Sequence, residues 1–284
     1  MTFYQRLRDI NVWMGNADNE GNDRRISPPD VVGEDGGGVL SPDRTQVAYR
    51  SDRTGFFEIW ALDLRTGIDR QITAMGGPHT DYPRWSPDGS QIAFSSAAGA
   101  NRDVFIVPAR GGPVRRFTTE ASSEGNPAWS RDGRWIYFYS TRSGSMQIWR
   151  GRTDGSGALQ QITWNGGEEG YESHDGKTFY FTRARAIKGV WAVPVDGGDE
   201  RLLLPDVRFG YWGVAGGGIY FLEIMSHSNQ HVVKRYAFRS GQTEQLRSVA
   251  VPGETNGFRV SGDGRSILWS QSDRDDDSVM VVDR

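Results

Sequence analysis

One turn recurs along these 284 residues at a nearly constant interval, and it constrains the fold more than any other feature. Its aspartate falls at Asp43, Asp88, Asp132 and Asp175, then, past a degenerate copy near Gly217, at Asp263. The first intervals are 45, 44 and 43 residues, and the last 88 residues are about two periods. The unit is legible in full between Asp81 and Thr118. Pro83 to Ser86 reads as a short strand. In Ser86-Pro87-Asp88-Gly89 proline presets φ, aspartate bonds the backbone and glycine takes the left-handed position. Gln91 to Ser96 alternates Ile92 and Phe94 against Ala93 and Ser95, Val104 to Val107 is β-branched and aromatic, and Gly111-Gly112 turns the chain into Val114 to Thr118. Four antiparallel strands per unit, at a period in the low forties, is the signature of a β-propeller.

The third strand repeats independently, with Trp60, Phe105, Trp149, Trp191, Tyr236 and Met280 at its mark, and the fourth as Gln71-Ile72-Thr73, Arg116-Phe117-Thr118 and Gln161-Ile162-Thr163. Six blades follow, near 36–80, 81–123, 124–166, 167–209, 210–254 and 255–284 plus 9–27, in one all-β domain spanning 1–284. The last blade has only three strands before the chain stops. Asp23 to Ser27, a fourth strand without a blade, is expected to pair with Val279 to Val282 and close the ring. Asp9 to Trp13 also reads as a third strand, which makes seven copies. It would be either a fifth, outermost strand of the closing blade or the remnant of a seventh blade, and an incomplete or seven-bladed propeller is the alternative architecture.

A net charge of −3 gives no electrostatic reason to expect nucleic acid. Only Lys177, Lys188 and Lys234 among the 33 basic residues are lysine, which reads as source-genome composition. With no cysteine, disulfide and thiolate chemistry are excluded. No apolar stretch is long enough to span a bilayer, so membrane insertion is not expected. The chain starts MTFYQRLRD without the apolar segment of an export signal, which leaves either the cytoplasm or a processed, exported form.

The blade motif resembles the TolB-type propeller repeat. Trp85-Ser86-Pro87-Asp88-Gly89 carries it, as do Ser51-Asp52-Arg53-Thr54-Gly55 with Glu58-Ile59-Trp60, and Trp129-Ser130-Arg131-Asp132-Gly133 with Ser140-Thr141-Arg142-Ser143-Gly144 and Ile148-Trp149. The fifth unit departs most, with Gly216-Gly217-Gly218 in place of the Ser-Pro-Asp-Gly turn. The resemblance implies a rigid platform for proteins or peptides and favours the periplasm. It also extends to the propeller half of bacterial regulators with a winged helix, which implies a sensor domain as another reading. Fold alone does not settle function.

No Gly-x-Ser-x-Gly is present, which removes the hydrolase nucleophile of propeller-gated peptidases. His227 and His231, with Glu223, lie between strands and lack the convergence zinc requires. Asp273 to Asp277 and Asn16 to Gly21 lack the glycine or distal glutamate of a calcium loop. The turn aspartates recur with the blade, so they read as structural. Residues that differ between blades are more informative. Those before and at the start of each first strand are expected to line the channel mouth: His79, Asp81, Tyr82, Glu124, Asn126, Glu169, Tyr171, Tyr211, Trp212 and Asn256. This acidic and aromatic set would suit a cationic protein or peptide partner, helped by cation–π attraction. No cofactor is expected on that reading. The alternative is a calcium-dependent hydrolase or lactonase, with Asp81, Glu124, Asn126, Glu169 and Asn256 as ligands.

Overall fold

A computed structural model describes the backbone of residues 2–281 apart from 30, 32, 78, 98, 226, 227 and 252–254. Side chains are described over the same residues except 2–8, 255, 256 and 274–281. The chain begins with β1 (Thr2–Asn16) and β2 (Arg24–Arg25), then builds five blades in sequence. Blade 1 is β3 (Gly36–Leu40), β4 (Gln46–Ser51), β5 (Glu58–Asp63) and β6 (Asp69–Gln71); blade 2 is β7 (Thr80–Trp85), β8 (Gln91–Ser96), β9 (Asp103–Pro108) and β10 (Arg115–Arg116). Blade 3 comprises β11 (Glu124–Trp129), β12 (Trp135–Ser140), β13 (Gln147–Arg152) and β14 (Gln160–Gln161). Blade 4 follows as β15 (Glu169–Glu172), β16 (Thr178–Thr182), β17 (Val190–Pro194) and β18 (Arg201–Leu204), and blade 5 as β19 (Trp212–Ala215), β20 (Gly218–Glu223), β21 (Gln230–Ala237) and β22 (Gln242–Ala250). Last come β23 (Thr255–Val260) and β24 (Ser266–Val281). The fold is a six-bladed, all-β propeller.

Closure differs from the expected pairing. The sixth sheet runs β2-β1-β24-β23, two strands from each end of the chain. Arg24 and Arg25 pair with Met14 and Trp13, not with the segment after Val279, and Val282 lies outside the described residues. Asp9 to Trp13 is therefore the third strand of the closing blade, neither a fifth strand nor a seventh blade. Met280 belongs to the continuation of the second strand, opposite Phe3. The surplus copy arose because β24 is long enough to carry a second apolar run beyond the ring.

The core is divided among the interfaces. Adjacent residues of each second strand point to opposite faces. Ile92 and Phe94 pack toward blade 1, for example, while Ala93 packs toward blade 3. Six apolar clusters result, one between each pair of neighbouring blades, and the one joining blade 6 to blade 1 contains Val12, Leu268, Val47 and Tyr49. Gly38 sits in that last interface because a Cβ there would lie 2.5 Å from Val12 Cγ1.

The repeated motifs have mechanical roles. In five blades the turn aspartate accepts the hydroxyl of the preceding serine, as Ser86 Oγ to Asp88 at 2.5 Å and Ser130 Oγ to Asp132 at 2.6 Å. The Ser-x-Arg loop places a guanidinium over the third-strand tryptophan: Arg53 over Trp60 at 4.4 Å, Arg142 over Trp149 at 5.0 Å. The terminal threonines Thr73, Thr118 and Thr163 each accept a third-strand N–H at 2.9 Å. Tryptophans of the turn motif stitch blades together, Trp85 Nε1 donating to Val39 O and Trp129 Nε1 to Arg84 O, both at 3.0 Å.

Candidate functional site

Register puts Val39, Arg84, Ala128, Tyr171, Gly213 and Arg259 at one equivalent position of the six inner strands, opposite Ala48, Ala93, Tyr137, Tyr180, Tyr220 and Leu268. Large polar side chains thus come from blades 2, 4 and 6, alternating with small or apolar ones from blades 1, 3 and 5. All six line one cavity of about 590 Å³. It opens between the first turns of the blades, where Pro42, Pro87, Arg131, His174 and Gly262 line it. A volume of this size is within the usual range for ligand sites, and its lining comes from rigid strands.

At its floor two arginines share one carboxylate oxygen. Glu169 Oε1 lies 3.0 Å from Arg259 Nη2 and 3.5 Å from Arg84 Nη2. The Tyr171 hydroxyl donates to the same oxygen at 3.2 Å and accepts from Arg84 Nη2 at 3.2 Å, while Gly210 N–H donates to Glu169 Oε2 at 2.9 Å. Burial pushes the Arg84 guanidinium below its ordinary value, and the Arg259 charge adds to this. For Arg259 burial acts in the same direction but is outweighed by Tyr171 and Glu169, so its value rises. Burial also raises the Tyr171 phenol, which stays protonated and able to donate.

Of the ten residues singled out in the sequence, Tyr171 lines this cavity. Trp212 is 0 % exposed and packs edge-on against Tyr171, ring centres 5.0 Å apart, so it supports the floor from behind. The inner strands of blades 2 and 3 bulge at Tyr82 (φ 55°) and Asn126 (φ 51°), left-handed conformations that non-glycine residues seldom adopt. Tyr82 OH accepts from Arg185 at 3.0 Å, and Asn126 Nδ2 donates to Glu168 O at 3.0 Å while its Oδ1 is buried without a partner. Asp81 pairs with Arg102 at 2.5 Å, and burial raises its carboxyl above the ordinary range despite that partner. Glu124 is 0 % exposed, accepts from Ser140 Oγ at 2.7 Å and has Arg142 at 3.5 Å. His79 is exposed and stacks on Phe57, and Tyr211 is half-buried with its N–H donating to Arg208 O at 3.2 Å. The side chain of Asn256 lies outside the described residues.

Each described carboxylate of the set therefore has an arginine facing it, and those arginines are what the sequence reading missed. A signal was available. Arg84 and Arg259 each stand two residues before a turn serine, Ser86 and Ser261, as Tyr171 stands two before Ser173. Among the described residues no group of three or more His, Asp or Glu stands close enough to hold a metal ion. Of the five residues read as calcium ligands, Asp81, Glu124 and Glu169 each face a guanidinium. Of the other candidates, His231 is buried, its Nδ1 accepts from Met225 N–H at 3.3 Å, and His227 lies outside the described residues. Asp273 ties the closing blade together, accepting from Asn11 at 2.8 Å and Gln271 at 2.9 Å, and the side chains of 274–277 are not among those described. The Asn16 to Gly21 turn is bound to blade 5, Arg247 donating to Asn19 O at 2.9 Å. No described helix is long and apolar enough to cross a membrane.

Comparison with known proteins agrees with this architecture. An uncharacterized protein of Agrobacterium fabrum, Atu1656, is 33 % identical over 178 residues, 58 % of this chain and 59 % of the relative, so the match spans less than two thirds of that protein. A TolB-like structure from Agrobacterium tumefaciens superposes with a TM-score of 0.73 at 19 % identity, covering 94 % of this chain and 98 % of the other. TolB from Acinetobacter baumannii superposes at 0.64 with 20 % identity over 96 % of this chain and 65 % of its own. Identities this low speak to the fold alone. The family model of the TolB beta propeller domain matches residues 37–208, and with the six closed blades this shows that the chain belongs to the TolB beta propeller family.

Proposed function

We propose that the protein is a non-catalytic platform that holds a protein or peptide segment at its central channel. The observation that carries this reading is the 590 Å³ cavity to which all six inner strands contribute. A site assembled from every blade is rigid, and rigid concave sites with apolar walls and a few placed polar groups bind ligands at low conformational cost. Leu40, Trp129, Val214 and Val260 form such walls, and Tyr171 with its arginine neighbours supplies the polar groups. TolB-like propellers often mediate protein binding, which supports the same reading. Tyr82 and Asn126, fixed by their bulges, contribute on the side where the inner strands begin.

The test is selection of random peptides on the immobilised protein, repeated with Gly262→Phe. Gly262 lines the cavity, and a Cβ built there meets nothing within 4 Å, so the aromatic ring can occupy the mouth without disturbing the blade. Retention of the selected peptides is expected to fall at least about tenfold. Undiminished retention by the folded variant rejects the channel as the site.

A further inference from the structure

The cavity is cationic, whereas the carboxylates singled out in the sequence lie where the inner strands begin and do not line it. Its charged lining is Arg44, Arg84, Arg131 and Arg259 against Glu172 and Asp263. Both acids are already engaged. Glu172 accepts from Arg131 N–H at 2.6 Å and from Tyr137 OH at 2.8 Å, and Asp263 accepts from Ser261 at 2.6 Å and Arg44 at 2.8 Å. The exposed guanidinium of Arg131 makes no ion pair within 4 Å among the described residues, and Glu172 attracts it from farther off. At the floor two buried guanidiniums meet one carboxylate, and the Nε of each is buried without a hydrogen-bond partner. Each guanidinium carries five donors, and a buried charge without full compensation is costly. The floor therefore retains about one unmatched positive charge under an open mouth.

The geometry points to an acidic peptide segment as the occupant, with a glutamate or aspartate side chain reaching Arg84 and Arg259 and a further acidic residue meeting Arg131 at the rim. Glu169 bridges the two floor arginines without itself lining the cavity, so the pair already holds one side-chain carboxylate, and the cavity offers the approach for a second. Positive charge at two depths matches successive acidic residues along a chain better than one isolated anion. The apolar walls suit hydrophobic residues flanking the acids. This inference rests on the platform reading above and adds the chemistry of the partner.

It is tested with three sets of end-blocked hexapeptides, randomised at the flanks and carrying two central Glu, two central Gln or two central Lys, on the intact immobilised protein. Preferential retention of the Glu set, at least about tenfold over the Gln set, is expected. That preference should weaken as salt is raised and drop several-fold in Arg131→Ala, whose side chain is exposed and whose loss does not threaten the fold. Arg84→Gln, checked for folding by near-ultraviolet circular dichroism, should abolish it. Equal retention of the Glu and Gln sets overturns the acidic partner while leaving the platform standing, as does preference for the Lys set. Retention of no set overturns the platform itself, and saturation by inorganic phosphate with no peptide retained overturns the peptide as occupant.

Discussion

Replacing Glu169 by glutamine removes one charge and almost no volume, and its consequences can be worked from the floor of the channel. The carboxylate accepts from Arg259, Arg84, Tyr171 and Gly210, at 3.0, 3.5, 3.2 and 2.9 Å. Its side chain is 2 % exposed, and those of Arg84 and Arg259 are 9 % and 7 % exposed, so water screens little of the interaction. Deleting one partner of a buried pair costs about 3–5 kcal/mol because the charge left behind stays desolvated. Glutamine keeps an acceptor for Gly210 N–H, which places the expectation near about 3 kcal/mol. Domains carry roughly 5–15 kcal/mol in total. With a urea slope of about 3 kcal/mol per molar, the midpoint of unfolding followed by tryptophan fluorescence should fall by about 1 M. Arg84→Gln combined with Glu169→Gln should cost less than the sum of the two single changes, with a coupling of at least about 1 kcal/mol. A midpoint shift under about 0.3 M, or strict additivity, would refute the shared-carboxylate account. The same substitution should tighten retention of the acidic peptide set, since it frees both guanidiniums.

Three further outcomes are expected. The Asp132 carboxyl is held down to about 2: partial burial would raise it, but the Ser130 hydroxyl and the Arg134 N–H and side chain outweigh that. A depressed folded value stabilises the protein above the ordinary range near 3.8, and that contribution is lost as pH falls toward about 2. Asp132→Asn should therefore unfold at lower urea than the parent at pH 7, with the gap narrowing at pH 2.5. Gly38→Ala should destabilise by about 1–3 kcal/mol through overpacking against Val12, and Val12→Ala in the same chain should recover part of it in thermal melts. Trp129→Phe removes the inter-blade bond to Arg84 O and should cost about 1 kcal/mol by calorimetry, with no loss meaning that water replaces the indole.

The architecture was legible because each blade repeats what it needs locally. Ser-x-Asp turns, Ser-x-Arg loops stacked on tryptophan and terminal threonines are short-range devices, and short-range devices leave a periodic trace. Closure left a misleading one. Pairing across the two ends is a long-range choice, and the register of a long strand such as β24 cannot be read from its apolar pattern alone. The channel was half legible for a similar reason. Glu169 and Tyr171 stood out as differences between blades, but their partners Arg84 and Arg259 are remote in sequence and come from blades 2 and 6. Counting carboxylates at the strand starts left out both their guanidiniums and the cavity between the first turns, which those carboxylates do not line. The bulge at Tyr82 was invisible because tyrosine rarely takes a left-handed backbone, and that at Asn126 because asparagine, which tolerates one, is equally at home in the turns around it.

The two-and-two closing sheet also sets a temporal order. Asn11 and Asp273, bonded to each other across its two middle strands, are separated by 262 residues, so β1 is synthesised long before β24 exists to pair with it. Blades 1 to 5 can form as nearby meanders while that early segment waits with an open edge. Contacts of such long range are the slow ones in folding, and an unpaired edge invites association with other chains. Until β24 emerges, the edge of β1 is where a second nascent chain could take its place.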